Sequence, residues 1–262
     1  MALLGLKIEA QLVPVMRRLV TVKHVTGIDG DEAQARQLLN FFEGMADIKD
    51  AVVLELGPGK TLETLQFARE RGAKYVIAAD IINYHSPESA HRRGVDYRLF
   101  DGVRLPVPDS SVDVVWACYC MQHFRDPQAM LKEIHRALRP GGTLICRVDL
   151  RDHYHMFVSG RQYDCLRHPP SLWRWMAWNR SSYVNRLRLS EWQRLLGETG
   201  FHTQTLVPHE DEQLLHENRS HEYLSHLEDR DLKTFRFDGS FQRTLCVVLF
   251  ALANGMFLID HS

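Results

Sequence analysis

Hydrophobic and polar positions follow two patterns in the middle of the chain. Short apolar runs alternate with segments whose apolar residues recur at helical spacing. The runs lie at residues 51–56, 75–80, 95–100, 112–117 and 143–148. Strands that alternate with helices form parallel sheets with helices on both faces, and such sheets bind ligands beyond the carboxyl ends of their strands. The residues that follow each run are therefore the first candidates for a functional site.

The pattern predicts further elements on both sides of this core. We expect a helix over residues 189–198 with Ser190 as its N-terminal cap, because Ser side chains accept hydrogen bonds from the first turn. The other predicted elements are helices over 4–19 and 31–45, a sixth strand over 201–207, a polar helical segment over 209–229 and a seventh strand over 241–253.

Charge and cysteine content exclude several classes of protein. The 33 acidic and 32 basic residues leave a formal net charge of −1, so no overall basic field would attract a nucleic acid. No apolar stretch approaches the roughly 20 residues of a membrane span, and the first ten residues do not resemble a secretory signal. The five cysteines form no CxxC pair. We expect a reduced, cytoplasmic protein without a membrane span.

The most specific signal is the glycine turn between the first run and the next helix, residues 54–61. A phosphate-binding P-loop would need a glycine at the position of Leu54. A nicotinamide or flavin turn would need a third glycine where Leu62 stands, although Asp80 lies at a suitable distance for a ribose acid. In a third interpretation, Glu55 lies two residues before the first glycine and faces a cationic or amino-bearing ligand.

Five motifs favour the third interpretation. They are Glu55–Thr61, Ala79-Asp80, Phe100–Gly102, Leu105–Asp113 and Leu138–Gly142. In this order the segment 51–150 resembles the class I S-adenosylmethionine-dependent methyltransferases, specifically the type 11 group. Thr61 departs from the pattern, since many members carry a third glycine there. The resemblance implies a Rossmann-like seven-stranded α/β sheet with helices on both faces, an antiparallel last strand, and S-adenosyl-L-methionine as cofactor.

The same resemblance assigns cofactor binding to residues that follow the strands: Glu55, Gly57, Gly59, Asp80, Ile81, Asp101, Gly102, Cys118 and Tyr119. Glu55 and Gly57 would line the methionine part, and Asp80 would accept hydrogen bonds from the ribose hydroxyls. Asp101 would face the adenine amino group with Gly102 beside it. Cys118 and Tyr119 would lie near the sulfonium.

A hydroxyl acceptor also needs a base at a strand end that faces the methyl group. We expect His153 in this role, supported by Asp152 or Asp149, because an acid near a histidine orients it. This stretch shows a fainter resemblance to methyltransferases of bacterial polysaccharide and natural-product clusters. The alternatives are that it is a polar hinge, or that His123 after the fourth strand is the base.

Residues 151–194 hold eight Arg, no Lys and four of the five Trp. One interpretation is an acceptor lid for a glycan or another anionic ligand, since guanidinium groups suit anions and aromatic faces suit sugars. The other is a helical cover in which the Trp side chains are core. The histidines after residue 208 show no i, i+4 pair, so no metal site is predicted.

These observations predict transfer of a methyl group to a hydroxyl of a small molecule or saccharide, without nucleic-acid partners. The alternatives are a cofactor-binding relative that acts as a partner protein without catalysis, an N-methyltransferase, and an NAD-dependent oxidoreductase. The predicted organisation has an N-terminal helical cap (1–50), the cofactor-binding core (51–150), an acceptor lid (151–200), and a segment that completes the sheet with a polar helical insert (201–262).

Overall fold

A computed structural model describes residues 31–152, 162–176 and 183–244. The predicted helix over 4–19 lies outside these residues, as does the part of the predicted seventh strand beyond Thr244. His153 also lies outside them.

The described residues form one seven-stranded sheet with the order β3-β2-β1-β4-β5-β7-β6. The first five strands pair in parallel, and β7 is antiparallel to both β5 and β6. The strands are β1 (Val52–Leu56), β2 (Tyr75–Asp80), β3 (Asp96–Leu99), β4 (Val112–Cys118), β5 (Leu138–Asp149), β6 (Phe201–Glu210) and β7 (Thr234–Arg243). The predicted fold class is confirmed, and the carboxyl ends of all strands except β7 meet at one edge.

Helices cover both faces of this sheet. In the described part of the chain they are α1 (Glu32–Glu43), α2 (Glu63–Glu70), α3 (Pro87–Arg92), α4 (Pro127–Ala137), α5 (Pro170–Met176), α6 (Leu189–Glu198), α7 (Glu212–Arg219) and α8 (Asp229–Lys233). Short 3₁₀ helices span Met121–His123, Asp164–Arg167 and Glu222–Leu224. Asp side chains cap α1 and α4: Asp31 accepts from the Ala33 N–H and Asp126 from the Ala129 N–H.

Two apolar layers hold the sheet, one on each face. On the face covered by α1 and α2, Phe42 stacks on Trp116 at 4.4 Å between ring centroids, and both rings are fully buried. On the other face, α4 and α6 bury Ile134 and Trp192 against strand residues such as Phe237. Because the central strands are covered on both sides, they appear in the sequence as continuous apolar runs.

Two expectations are wrong in detail. Ser190 is not the cap of α6: it lies in the first turn, where its N–H and its Oγ–H donate to the two oxygens of Asp231 in α8, at 3.0 and 2.5 Å. The seventh strand begins at Thr234 rather than at Phe241. Its first half is not an apolar run, because Arg236 and Asp238 alternate with buried aromatic residues and form a polar face.

The Phe42–Trp116 stack predicts how strongly α1 is attached to the sheet. Phe42→Ala should lower the free energy of unfolding by about 3–5 kcal/mol, because it leaves a cavity beside a buried indole. Chemical denaturation measures the change. Phe42→Leu retains most of the apolar volume and should cost less than about 1.5 kcal/mol. Equal stability of the Ala variant and the unmodified protein would contradict this packing.

Candidate functional site

The glycine turn after β1 brings the backbone close to two other strand ends. Gly57 and Gly59 have φ values of +63° and +68°, which side chains rarely adopt. A Cβ on Gly57 would lie 3.0 Å from the Cβ of Cys120, which follows β4. The Gly57 N–H donates to the Ala79 carbonyl of β2 at 2.8 Å. The turn therefore holds its shape only without a side chain at Gly57.

Glu55 is a buried carboxyl group with an unused oxygen. Its side chain lies at the end of β1, and Oε2 has no hydrogen-bond partner among the described residues. Burial, together with the charge of Asp80, raises the pKa of Glu55 to about 8. An orphaned buried acceptor is costly, so the arrangement fits a ligand that brings an ammonium group to this oxygen.

Asp80 joins the ends of β1 and β2. Its Oδ2 accepts from the Gly59 N–H at 3.1 Å and its Oδ1 from the Ile82 N–H at 2.9 Å. Burial raises the pKa of Asp80 despite these backbone hydrogen bonds. Each carboxylate oxygen has a second lone pair, so the group can also accept from ligand hydroxyls. Asp80 thus shapes the turn and offers acceptors to a ribose.

The residues predicted to meet the adenine lie at the surface. Asp101 accepts from the Val103 and Arg104 N–H groups at 2.8 and 3.0 Å, and these backbone hydrogen bonds lower its pKa. Gly102 has a φ of +80°, and a Cβ there would lie 3.5 Å from Ile81 Cγ2. Ile81 is 61% exposed. This exposed apolar side chain beside a glycine is suited to a flat aromatic ring.

Cys118 and Tyr119 end β4 in a constrained conformation. Tyr119 has a φ of +53°, an uncommon value for a residue with a side chain. Its N–H donates to the Arg147 carbonyl at 2.8 Å, and its carbonyl accepts from Gln122 Nε2 at 2.9 Å. Burial raises the pKa of the Cys118 thiol to about 12, so this group stays protonated at neutral pH. These contacts fix the direction in which the Tyr119 ring leaves the strand.

The structure places three of the four predicted catalytic residues. Asp149 forms a double ion pair with Arg151, whose Nη2 lies 2.6 Å from Oδ2. Asp152 is completely buried. His123 Nδ1 lies 2.5 Å from the Tyr183 carbonyl and thereby ties the turn after β4 to the segment before α6. Since His153 is not among the described residues, its assignment and theirs stay predictions.

Two arginines of the arginine-rich segment make internal contacts. Arg186 Nη1 donates to the carbonyls of Cys165 and His168 at 3.0 and 2.6 Å. Arg188 is buried above the ring of Tyr163 and donates to the Leu150 carbonyl. Trp173 and Trp192 are buried as well. These contacts favour the packing interpretation for these residues.

Sequence reasoning missed a second group of polar residues at the same edge of the sheet. Arg147 of β5 pairs with Asp238 of β7, and His209 of β6 lies 3.0 Å from the same carboxylate. Arg236 lies beside them, with its Nη1 3.3 Å from the Tyr119 hydroxyl. The only sequence signal was the spacing of Arg236 and Asp238 by two in a segment not recognised as a strand.

The described residues were also compared with three other kinds of site: a cavity, a metal site and a membrane-spanning helix. A cavity of about 430 Å³ lies at the amino edge of β4 and is lined by residues including Asp113, Arg139 and Gly142, so it is remote from the glycine turn. No group of three His, Cys, Asp or Glu side chains among the described residues could hold a metal ion. Nor does any helix in that part of the chain have the length and apolar character to cross a membrane.

Comparison with known proteins agrees with this geometry. Residues 54–146 match a family model described as a methyltransferase domain, the type 11 group. The C-methyltransferase UbiE of ubiquinone and menaquinone biosynthesis from Vibrio vulnificus is 33% identical over 101 residues, which are 36% of this chain and 39% of that protein. The malonyl-[acyl-carrier protein] O-methyltransferase of Xylella fastidiosa is 29% identical over 115 residues, 42% of this chain and 39% of that protein. The chain thus spans about two fifths of the length of these curated relatives.

A solved structure extends the likeness beyond that segment. The S-adenosylmethionine-dependent methyltransferase from Mesorhizobium loti superposes with a TM-score of 0.54 at 18% identity, over 81% of this chain and all of that one. At this identity the likeness concerns the fold alone. Sheet order and glycine turn together define a class I S-adenosylmethionine-dependent methyltransferase fold. The chain carries a methyltransferase domain of the type 11 group, as its motifs predicted, and family and fold imply S-adenosylmethionine as cofactor.

The raised pKa of Glu55 predicts a proton release. Below pH 8 the free protein holds this carboxyl protonated, whereas a bound ammonium group favours the carboxylate. Binding of S-adenosylhomocysteine at pH 7 should therefore release up to about one proton, and affinity should rise from pH 6 to 8. Calorimetry in buffers of different ionisation enthalpy counts the protons. The Glu55→Gln variant is the control, and an undiminished release from it would contradict the assignment.

The contacts of Asp80 predict a loss of cofactor affinity. Asp80→Ala should weaken binding of S-adenosylmethionine by roughly 1–3 kcal/mol, because it removes charged acceptors for hydroxyls and loosens Gly59. Asp80→Asn retains one acceptor oxygen and should weaken it less. Calorimetric titration measures both. Unchanged affinity in the Ala variant would remove Asp80 from the cofactor site.

Proposed function

We propose that this chain transfers a methyl group from S-adenosylmethionine to a hydroxyl group of a small molecule or saccharide. The observation that carries the proposal is the buried Oε2 of Glu55, which has no hydrogen-bond partner among the described residues and lies beside a turn that tolerates no side chain at Gly57. A structural turn has no need of an uncompensated buried carboxyl group, whereas an amino-bearing ligand would compensate it.

The chain's own residues would hold the cofactor along the strand ends. Glu55 would receive the amino group, and Asp80 would accept from the ribose hydroxyls while keeping Gly59 in place. Ile81 and Gly102 would contact the adenine ring, with Asp101 at its amino group. When bound, the cofactor supplies an electrophilic methyl group on a sulfonium, so the protein chiefly has to position the acceptor.

The residues that follow β4 and β5 would position the methyl acceptor. Tyr119 leaves β4 at a fixed angle towards Arg236 of β7, so this side of the cofactor residues carries polar groups that can orient an acceptor. Loss of the hydroxyl proton needs a base, and His153, which follows the buried Asp152, stays the predicted one. His123 has its Nδ1 2.5 Å from the Tyr183 carbonyl, so this nitrogen is already engaged.

The atom that receives the methyl group is the second question. One curated relative is named a C-methyltransferase and the other an O-methyltransferase, and they match 36% and 42% of this chain. Acceptor choice depends on segments outside that match, namely α1 and residues 151–244. An enolisable carbon acceptor is therefore the second candidate, and it would use the same cofactor residues.

Turnover tests the proposal directly. The full chain is incubated with S-adenosylmethionine and panels of phenols, sugars and hydroxy acids, together with enolisable quinols. We expect S-adenosylhomocysteine to form only with a hydroxyl acceptor, and a product with a new methoxy signal by NMR. Asp80→Ala should lower the rate of formation at subsaturating cofactor by roughly 5- to 150-fold, because it weakens cofactor binding.

Other outcomes separate the alternatives. A methyl group on carbon would keep methyl transfer and overturn the hydroxyl assignment, and one on nitrogen would do the same. Cofactor binding without S-adenosylhomocysteine formation on any panel would favour a partner protein without catalysis. A melting temperature raised by a nicotinamide cofactor and not by S-adenosylmethionine would overturn the proposal altogether.

A further inference from the structure

A set of charged residues, which we name the arginine cluster, lies at the carboxyl ends of β5 and β6 beside the first half of β7. It comprises Arg147, His209, Arg236 and Asp238, with Tyr119 at its border. Arg147 is the register partner of Asp238, and Arg236 is the register partner of His209. Side chains two apart on a strand share a face, so Arg236 and Asp238 are presented together.

The carboxylates of Asp238 and Asp149, in and beside the cluster, are each paired with an arginine. Asp238 receives two hydrogen bonds from Arg147, Nε to Oδ1 at 2.8 Å and Nη2 to Oδ2 at 3.0 Å, and His209 Nε2 lies 3.0 Å from Oδ2. Burial alone would raise the pKa of Asp238, but the hydrogen bond and charge of Arg147 outweigh it and hold the pKa below its usual value. Asp149 is engaged in the same double manner by Arg151.

Arg236 is left without a carboxylate at hydrogen-bond distance in the described chain. Its Nε has no hydrogen-bond partner there and lies 3.8 Å from the nearer oxygen of Asp238. Its Nη1 makes a long contact of 3.3 Å to the Tyr119 hydroxyl, and its Nη2 lies 3.1–3.2 Å from the ring nitrogens of His209. Among the described residues, Arg147, Arg151 and Arg236 thus face the two carboxylates of Asp149 and Asp238, and Arg236 is the most weakly paired of the three arginines.

The surroundings of Arg236 allow a ligand to reach it. Its side chain is 25% exposed and that of His209 29%, so solvent reaches both although they are partly desolvated. Arg147 packs its guanidinium 4.1 Å above the ring of Phe41 in α1, which fixes one wall of the cluster. A charge in such a half-buried setting attracts an anion more strongly than one on an open surface.

The arginine cluster also borders the cofactor residues. Cys118 is the register partner of Arg147 in β5. Burial is the main cause of the raised pKa of its thiol, and the charges of Glu55, Asp238 and Arg236 act on that pKa as well. Tyr119 follows Cys118 directly and reaches Arg236 with its hydroxyl. A group bound by Arg236 would therefore lie beside the site that Glu55 and Gly57 form.

We propose that Arg236 and Tyr119 bind an oxyanion, a carboxylate or a phosphate, of the methyl acceptor. The guanidinium supplies the charge, and the Tyr119 hydroxyl, whose oxygen accepts from Arg236, has its own hydrogen left to donate. Arg147 and His209 engage both oxygens of Asp238, whose nearer oxygen lies 3.8 Å from Arg236 Nε. The inference rests on the proposed function, because it assigns the acceptor's charged end to the chain that transfers the methyl group.

The test uses the full chain saturated with S-adenosylhomocysteine, titrated separately with benzoate and with inorganic phosphate at low ionic strength. Saturation is measured first, so that a failure of cofactor binding is recognised as a failure of the proposed function. We expect at least one anion to bind, and Arg236→Gln to weaken it by about tenfold or more. The tighter of the two probes identifies the carboxylate or the phosphate as the source.

Arg194→Gln is the matched control. It removes the same charge from an exposed ion pair with Glu198 on α6 and should change anion affinity by less than about twofold. Tyr119→Phe is the second variant in case Arg236→Gln does not fold, and it should weaken the anion by about threefold while leaving the melting temperature unchanged. Where both variants fold, both effects are required; where Arg236→Gln does not fold, the effect of Tyr119→Phe relative to the Arg194→Gln control decides.

Three results would overturn the inference. The first is that neither anion binds the cofactor-saturated protein, and the second is that the Arg236→Gln and Arg194→Gln variants bind them equally well. The third is that Arg236→Gln weakens S-adenosylhomocysteine itself by about tenfold, which would assign Arg236 to the carboxylate of the cofactor. In each case an intact affinity of the unmodified chain for S-adenosylhomocysteine leaves the proposed function standing.

Discussion

The hydrogen bond from the Gly59 N–H to the buried carboxylate of Asp80 connects the two strand ends on which the candidate site is built. It crosses from the turn after β1 to the end of β2, while the Gly57 N–H donates to Ala79 in the same direction. These bonds exist because β1 and β2 pair in parallel and end at the same edge. With both in place, the turn has no room for a side chain at Gly57.

The site keeps polar groups in positions that are unfavourable without a ligand. Glu55 is buried with one oxygen that no other described residue contacts by a hydrogen bond, and Tyr119 has a left-handed backbone conformation. Arg236 retains an incompletely paired charge a short distance away. Such local conflicts with ordinary packing are commonly found where a protein binds something, because the ligand supplies the missing partners. The buried apolar layers on both faces of the sheet, anchored by pairs such as Phe42 and Trp116, offset their cost.

The insert after β5 is rich in arginine, but the arginine with an incompletely paired charge lies in β7. Arg186 and Arg188 satisfy main-chain carbonyls and build the insert itself. Arg236 comes instead from β7, whose apolar side chains Phe237 and Phe241 are buried in the core. A strand with one buried face is held rigidly, so it positions a charged group precisely.

The sequence by itself determined the order of strands and helices, the glycine turn and the acids at the strand ends, because these depend on local patterning and on motifs at fixed spacing. It could not show that Ser190 is held by Asp231, or that Arg236 and Asp238 lie in a strand, because both depend on partners far away in the chain. Nor could it tell which arginines are neutralised. That depends on strand register, which brings Arg147 to Asp238 across 91 residues and leaves Arg236 beside His209 and Tyr119. Only the tertiary structure decides such pairings, since a charge is paired or unpaired according to what lies within a few ångströms of it.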